Sequence, residues 1–126
     1  MRARTRISSG SPYEPRIGFS RAIAVDGRVL VSGTAPVWSD GSCDPDPVVQ
    51  ARRCLQIIED ALTDAGSSMS QVVRTRMFLV DPADADAVGR AHGEVFGEIR
   101  PAATMVVVKA LLDERWKVEI EAEAAP

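Results

Sequence analysis

The chain has 126 residues, of which 45% are hydrophobic, and this predicts a single domain over residues 1–126 with a modest core. Its formal net charge of −3 and its pI near 5.1 argue against a nucleic-acid partner, and no apolar run is long enough to span a membrane. Cys43 and Cys54 lack metal-ligand spacing and the single His92 does not complete a site with them, so we expect no metal site from these residues, and reduced thiols in a cytoplasmic compartment.

The N-terminal part of the chain predicts an arm followed by a β-hairpin. Residues 1–16 are rich in Ser, Gly, Pro and Arg, which indicates a loosely ordered arm or a short edge strand. Two short apolar runs follow at 19–25 and 28–33, and the dipeptide Asp26-Gly27 separates them. Asp-Gly between such runs predicts a hairpin, because a type I′ turn needs a positive φ at both central positions.

The first predicted helix begins at Pro47, with Asp46 as its N-cap, and ends before Gly66. Between these residues the apolar side chains recur with the spacing of one helical face. They are Ala51, Cys54, Leu55, Ile58, Ala61, Leu62 and Ala65. Because Cys54 lies within this stripe, we interpret it as a small core residue and not as a reactive thiol.

A strand at 72–80 and a second helix follow. In the strand, Val73, Thr75, Met77 and Leu79 are predicted on one face, and Val72, Arg74, Arg76 and Phe78 on the other. The helix begins near Asp81 or Asp84, and its apolar stripe consists of Val88, Ala91, His92, Val95, Phe96 and Ile99. It also carries a glycine at every fourth position: Gly89, Gly93 and Gly97. Since each glycine weakens a helix by about 1 kcal/mol relative to Ala, we expect another backbone to approach it closely.

The last third of the chain predicts two strands. Residues 104–108 are mostly β-branched and uncharged, which indicates a strand buried on both faces. Residues 117–123 alternate strictly and place three glutamates, Glu119, Glu121 and Glu123, on one face. The order β-β-α-β-α-β-β predicts an α+β fold in which two helices cover one face of a mixed sheet. The other face, with Arg74, Arg76 and the glutamates, is either solvated or packed between subunits with its charges paired.

Several segments resemble the RidA/YjgF family of reactive-intermediate deaminases. The residues 31–36, Val-Ser-Gly-Thr-Ala-Pro, resemble the family's "SGQ-P" segment, and the segments 50–66, 73–81 and 117–122 are similar as well. The resemblance covers residues 17–124. It implies a chorismate-mutase-like fold and a homotrimer that has an inner barrel of sheets and ligand clefts between its subunits. It also implies hydrolysis of small enamines and imines without a metal or cofactor.

The resemblance implies a set of site residues and one departure from the family. Ser32, Gly33, Thr34 and Glu119 match cleft positions, and Glu119 matches the glutamate that positions or activates water. The family's "P-A-R-S/T" motif reads Pro-Ala-Ala-Thr at 101–104, so Ala103 replaces the arginine that binds the substrate carboxylate. Loss of that bidentate contact removes about 2–3 kcal/mol of binding. Phe19 replaces a tyrosine of the family's "G-P-Y" segment.

Other arginines are candidates for the missing cation. Arg76 is the first candidate because it shares a strand face with the glutamates, although a salt bridge inside the barrel is the alternative role; Arg100 and Arg21 are further candidates. His92 is either a packed side chain or an acid–base group. The complete set of candidate substrate-binding residues is Phe19, Ser32, Gly33, Thr34, Arg76, His92, Arg100, Ala103 and Thr104.

The sequence leaves two main functions open. The first is hydrolytic deamination of small enamine or imine intermediates, or a related addition of water to a small conjugated metabolite, with Glu119 as the catalytic residue. The second is a non-catalytic trimer that binds a small metabolite or a partner protein and has lost the deaminase reaction. A ribonuclease activity, which is attributed to some members of the family, is disfavoured by the acidic balance of the chain.

Overall fold

The structure, a computed structural model, describes residues 3–126 as one mixed six-stranded sheet with two helices. The strands lie in the order β1-β2-β3-β6-β4-β5, and every described pair is antiparallel except β4 with β5. In chain order the elements are β1 (Arg4–Ile7), β2 (Ala22–Val25), β3 (Arg28–Thr34), α1 (Pro47–Asp64), β4 (Val72–Leu79), α2 (Ala85–Phe96), β5 (Ala102–Val107) and β6 (Val118–Ala124). The predicted α+β class and the order of the elements after the arm are confirmed.

The N-terminal arm contains a strand. β1 pairs with β2 at the edge of the sheet, which is one of the two alternatives that its composition allowed. A short π-helical segment, Glu14–Gly18, then leads into β2. Met1 and Arg2, the first residues of the predicted arm, lie outside the described residues.

The predicted hairpin and the first helix are both confirmed. Asp26 and Gly27 have φ values of 56° and 77°, as a type I′ turn requires, and Val25 pairs with Arg28 across it. In α1, Oδ1 of Asp46 accepts a hydrogen bond of 2.8 Å from the Val48 N–H. The predicted apolar stripe of α1 packs against the sheet, and Cys54 is fully buried within it. Burial raises the pKa of the Cys54 thiol, which keeps it protonated.

At the start of β4, the predicted assignment of side chains to the two faces of the sheet was wrong for Val72 and Val73. Val72 is 3% exposed and Val73 is 45% exposed, the reverse of the predicted faces. The pairing of β4 with β6 shifts between Val72 and Arg74, so a bulge inserts one residue there and reverses the alternation. From Arg74 onward the predicted faces are correct, with Thr75 buried.

The prediction that residues 104–108 are buried on both faces was also wrong. β5 is an edge strand that pairs only with β4, and it ends at Val107. Val106 and Val107 are 40% and 50% exposed. A run of β-branched residues cannot distinguish a central strand from an edge strand, because its composition reflects packing on a pleated surface and not position in the sheet.

The glycines of α2 do not have the close backbone contacts that we expected. A Cβ at Gly89 would lie 3.9 Å from the side chain of Met105, and a Cβ at Gly93 would have no atom of the described chain within 4 Å. The buried residues of α2 are Val88, Ala91 and Phe96, whereas Val95, predicted on the same stripe, is 36% exposed. A Cβ at Gly97, the C-cap of α2, would lie 2.8 Å from the Gly93 carbonyl oxygen, which belongs to the same helix. The helix therefore packs on larger side chains, and Gly89 and Gly93 are not sites of close approach to another backbone within the described chain.

The two faces of the sheet differ in character. Both helices lie on the face that carries Thr75, Met77 and Leu79, and the hydrophobic core forms between them and the sheet. The opposite face carries the arginines and glutamates, where Arg76 Nη1 lies 3.6 Å from carboxylate oxygens of both Glu121 and Glu123. The third glutamate of β6, Glu119, has no such ion pair among residues 3–126 and lies in the candidate site. Within the same residues, no helix combines the length and apolarity needed to cross a membrane.

Candidate functional site

A β-bulge positions Glu119. Val31 pairs with Ala122 and Thr34 with Ile120, so β3 advances three residues while β6 advances two. Gly33 lies within this irregular stretch, and the Glu119 carboxylate folds over it. A Cβ at Gly33 would lie 2.6 Å from Oε2 of Glu119. The absence of a side chain at position 33 is therefore what allows the carboxylate to occupy this place.

Arg21 is the cation nearest to this arrangement. Its Nη2 donates a hydrogen bond of 2.6 Å to the carbonyl oxygen of Gly33, the residue over which Glu119 folds. Its Nε is buried, and no acceptor in residues 3–126 bonds to it. No carboxylate of the described chain lies within the 4.0 Å of an ion pair with Arg21.

The environment shifts the pKa values of both groups. Burial raises the pKa of Glu119, and the repulsion from Glu121 adds to this effect, while the charge of Arg21 opposes it. Burial lowers the pKa of the Arg21 guanidinium, against the attraction of the Glu14 and Glu119 carboxylates. A guanidinium remains charged in proteins. The site thus holds a permanent cation near a carboxylate whose affinity for a proton is increased, and this makes Glu119 a stronger general base than an exposed glutamate.

The other residues of the "SGQ-P"-like segment are held by local hydrogen bonds. Oγ of Ser32 donates to the carbonyl oxygen of Ser20 at 2.7 Å, and Oγ1 of Thr34 donates to the Ser32 carbonyl at 2.8 Å. Thr34 is fully buried, so it supports the bulge from within. Ser32 instead lines a cleft of about 920 Å³ together with Phe19. The structure thus brings Phe19, Ser32, Gly33, Thr34 and Glu119 into one region.

Glu14 is a residue of this region that the sequence analysis did not single out. It lines the same cleft but is only 7% exposed, and its Oε2 accepts hydrogen bonds from the Ser9 N–H at 2.9 Å and the Ser9 hydroxyl at 2.6 Å. Burial raises its pKa, but the hydrogen bonds from Ser9 and Ser8 outweigh this and hold the pKa below its ordinary value. A single glutamate in a Ser- and Pro-rich arm carries no sequence pattern that would have identified it.

The remaining candidates lie elsewhere in the chain. Ala103 and Thr104 are exposed on β5, opposite Thr75 and Arg76 of β4. Because β4 separates β5 from β6, these residues are two strand spacings, about 10 Å, from the strand that carries Glu119. Arg100 is exposed just before β5, and its Nε donates to the Gly97 carbonyl at 3.0 Å. The structure does not bring these residues to Glu119 within one chain.

Arg76 and His92 have other partners. Arg76 bridges Glu121 and Glu123, as described above, which matches the structural alternative for this residue. Nε2 of His92 is hydrogen-bonded to Oγ1 of Thr75 at 2.8 Å, and its ring packs at 4.6 Å from the ring of Phe96. His92 therefore lies on the helix-covered face of the sheet, opposite Glu119, and burial lowers its pKa.

The region around Glu119 is not a metal centre by composition. Among residues 3–126 there is no group of three or more His, Cys, Asp or Glu side chains arranged to hold a metal ion. The functional groups that converge are a carboxylate, a guanidinium, a serine hydroxyl and the backbone of a bulge. They are suited to binding and polarising a small polar molecule and to taking a proton from water.

Comparison with known proteins gives consistent matches over nearly the whole chain. The sequence profile of a family described as endoribonuclease L-PSP matches residues 10–126. The uncharacterised protein SCO2049 of Streptomyces coelicolor is 40% identical over 120 residues, which cover 94% of this chain and 90% of that protein. The 3-aminoacrylate deaminase RutC of Acinetobacter baylyi is 34% identical over 104 residues, with 81% and 82% covered. The crystal structure of Rv2704 of Mycobacterium tuberculosis, from the YjgF/YER057c/UK114 family, aligns with a TM-score of 0.91 at 40% identity and covers 98% of this chain and 100% of that one.

Proposed function

The chain belongs to the endoribonuclease L-PSP family, that of the RidA/YjgF proteins, and on this basis we propose that it hydrolyses small enamine or imine metabolites. The observation that carries the proposal is the position of Glu119, which is half-buried and folds over Gly33, the residue whose carbonyl accepts a hydrogen bond from Arg21. The similarity to a protein named 3-aminoacrylate deaminase supports the same chemistry.

The reaction is the addition of water followed by loss of ammonia. An enamine first takes a proton from solvent on carbon and becomes an iminium ion. Glu119 accepts a proton from water, whose oxygen bonds to the iminium carbon while the C=N electron pair moves to nitrogen, and a neutral carbinolamine forms. Glu119 then returns its proton to the nitrogen, the C–N bond breaks as the hydroxyl proton passes to solvent, and ammonia and a carbonyl product are released. General-base assistance of this kind contributes about 10²–10⁴-fold, which is sufficient for an intrinsically easy hydrolysis.

We further propose that the working unit is a homotrimer with its clefts between subunits. Two observations support this: the face of the sheet that carries Glu119 has no helix over it in the described chain, and the Pro-Ala-Ala-Thr segment lies two strands away from β6 within one chain. A second subunit can bring its own β5 to this cleft. A monomer in sedimentation-velocity experiments at micromolar concentration would contradict this part of the proposal.

The free thiols of Cys43 and Cys54 support a cytoplasmic location.

The test is turnover of 2-aminoacrylate generated in situ, followed through release of keto acid and ammonia. Wild type is expected to accelerate release over buffer, and Glu119→Gln to reduce the rate at least tenfold. Glu121→Gln is the matched control, since Glu121 lies on the same strand face but pairs with Arg76. Equal rates for wild type and Glu119→Gln would remove Glu119 from its assigned role.

A second candidate function is a non-catalytic trimer that binds a small metabolite or a partner protein. The observation that favours it is Ala103, which stands where the family pattern has an arginine. If wild type shows no acceleration over buffer and Ala103→Arg restores it, the binding function replaces the enzymatic one.

A further inference from the structure

We propose that Arg21 binds the carboxylate of the substrate and so replaces the arginine that is absent at position 103. The inference rests on the proposed function for the class of ligand, but its test below does not depend on turnover. It assigns this chain to small 2-oxo and 2-imino carboxylates, and it places the carboxylate beside Gly33, the residue over which Glu119 folds.

The hydrogen bonding of Arg21 leaves donors for a ligand. Of its five N–H groups, one hydrogen of Nη2 is used by the Gly33 carbonyl, and Nη1 forms no hydrogen bond among residues 3–126. The face of the guanidinium lies 5.7 Å from the centre of the Phe19 ring, which leaves its edges open. The edge formed by Nη1 and Nη2 matches the two oxygens of a carboxylate in geometry and charge. A half-buried guanidinium whose hydrogen bond goes to a neutral carbonyl has already lost part of its hydration. Binding a carboxylate therefore costs it less desolvation free energy than it costs a fully solvated guanidinium.

The charges around the cleft also favour an anion. The charged residues that line the cleft are Arg4, Arg6 and Glu14, and neither of these arginines has an ion pair in the described chain. Glu14 is occupied by the N–H and hydroxyl of Ser9 and does not contact Arg21 within ion-pair distance. An arriving carboxylate therefore meets an arginine without a contacting counter-ion.

The other arginines are less suitable. Arg76 holds Glu121 and Glu123 together, and a ligand that recruited it would break two ion pairs. Arg100 is exposed near the opposite edge of the sheet, and its side chain bonds to the carbonyl of Gly97. Arg21 alone among these three shares a backbone contact point, Gly33, with Glu119.

The shared contact point defines the substrate class. In a 2-imino acid the carboxylate is attached directly to the carbon that water attacks. Arg21 binds the carbonyl of Gly33 and Glu119 folds over the same residue, so a short ligand of this kind suits both groups. We expect substrates without a carboxylate, or with one several bonds from the reacting carbon, to fit less well.

The experiment compares binding of pyruvate with binding of pyruvamide, its neutral carboxamide analogue, by NMR titration of the protein. Wild type is expected to bind pyruvate at least tenfold more tightly than pyruvamide. Arg21→Met should weaken pyruvate binding by a factor of about 30 and leave pyruvamide unchanged. Arg21→Lys keeps the charge but lacks the planar guanidinium, so its affinity for pyruvate should fall between those of wild type and Arg21→Met. Arg76→Met is the control, and it should retain the preference for pyruvate.

Several outcomes would overturn the inference. These are an absence of saturable pyruvate binding by wild type, equal affinity for the two probes, an unchanged preference in folded Arg21→Met and Arg21→Lys, or loss of the preference in Arg76→Met. If wild type prefers pyruvate, folded Arg21→Met loses that preference and wild type does not accelerate deamination, the proposed reaction is refuted and Arg21 is supported as the carboxylate-binding residue. Thermal unfolding of each variant shows whether it is folded, and a merely structural role would weaken both probes equally.

Discussion

Replacing Gln50 by Leu is expected to destabilise the protein by about 3 kcal/mol. Gln50 is 1% exposed, and its Nε2 donates to the carbonyl oxygens of Asp44 at 2.7 Å and Arg115 at 2.9 Å. Its Oε1 accepts from the Lys117 N–H at 2.7 Å. One side chain on α1 thus satisfies three backbone groups of the two loops that precede α1 and β6. The second of these loops leads to Glu119, which follows Lys117 by two residues.

The magnitude follows from the number of bonds lost. Leu fills a similar volume but makes none of these contacts, and each hydrogen bond contributes about 1 kcal/mol net, so three give about 3 kcal/mol. A domain of this size is stable by about 5–15 kcal/mol, so the change is a large part of the total. Gln50→Glu keeps the acceptor for Lys117 but turns a carboxylate toward two carbonyl oxygens, and we expect it to destabilise at least as much at neutral pH.

The assay is urea unfolding at one fixed protein concentration, because the midpoint of an oligomer depends on concentration. Gln56→Leu is the matched control, since Gln56 is an exposed residue of the same helix and its substitution should change stability by no more than about 0.5 kcal/mol. A loss below about 1 kcal/mol for Gln50→Leu, or the same loss in both variants, would refute the reasoning that this side chain holds the two loops.

Two further predictions concern α2. Gly93→Ala should stabilise the protein by up to about 1 kcal/mol, because a Cβ there meets no atom of the described chain; a lower melting temperature would instead indicate that a second subunit packs on this position. Burial beside Thr75 lowers the pKa of His92 in the folded protein. As the pH falls, the unfolded chain therefore takes up a proton at this position before the folded chain does, and wild type should lose stability below about pH 6.5. His92→Gln, which retains a polar group for Thr75, should flatten this dependence in urea unfolding measured from pH 7.5 to 5, and equal slopes would contradict it.

Local sequence chemistry determined the elements with strong signals. The Asp26-Gly27 turn and the Asp46 cap each depend on a few neighbouring residues, and both were predicted correctly. The alternation of β6 likewise places Glu119, Glu121 and Glu123 on one face. The predictions that were wrong concern features of strands that depend on residues distant in the sequence. The bulge at Val72 is set by pairing with β6, and the exposure of β5 by its position at the edge of the sheet.

The candidate site divides in the same way. The sequence by itself gave rise to the family resemblance, the candidate cleft residue Gly33, the alanine at 103 and the candidate base Glu119. Only the tertiary structure placed Arg21 against Gly33, buried Glu14 against Ser9, and turned His92 to the other face of the sheet. The physical reason is that burial, pKa and charge pairing depend on which strands lie side by side, and in this sheet the neighbours of β6 are β3 and β4, far from it in sequence.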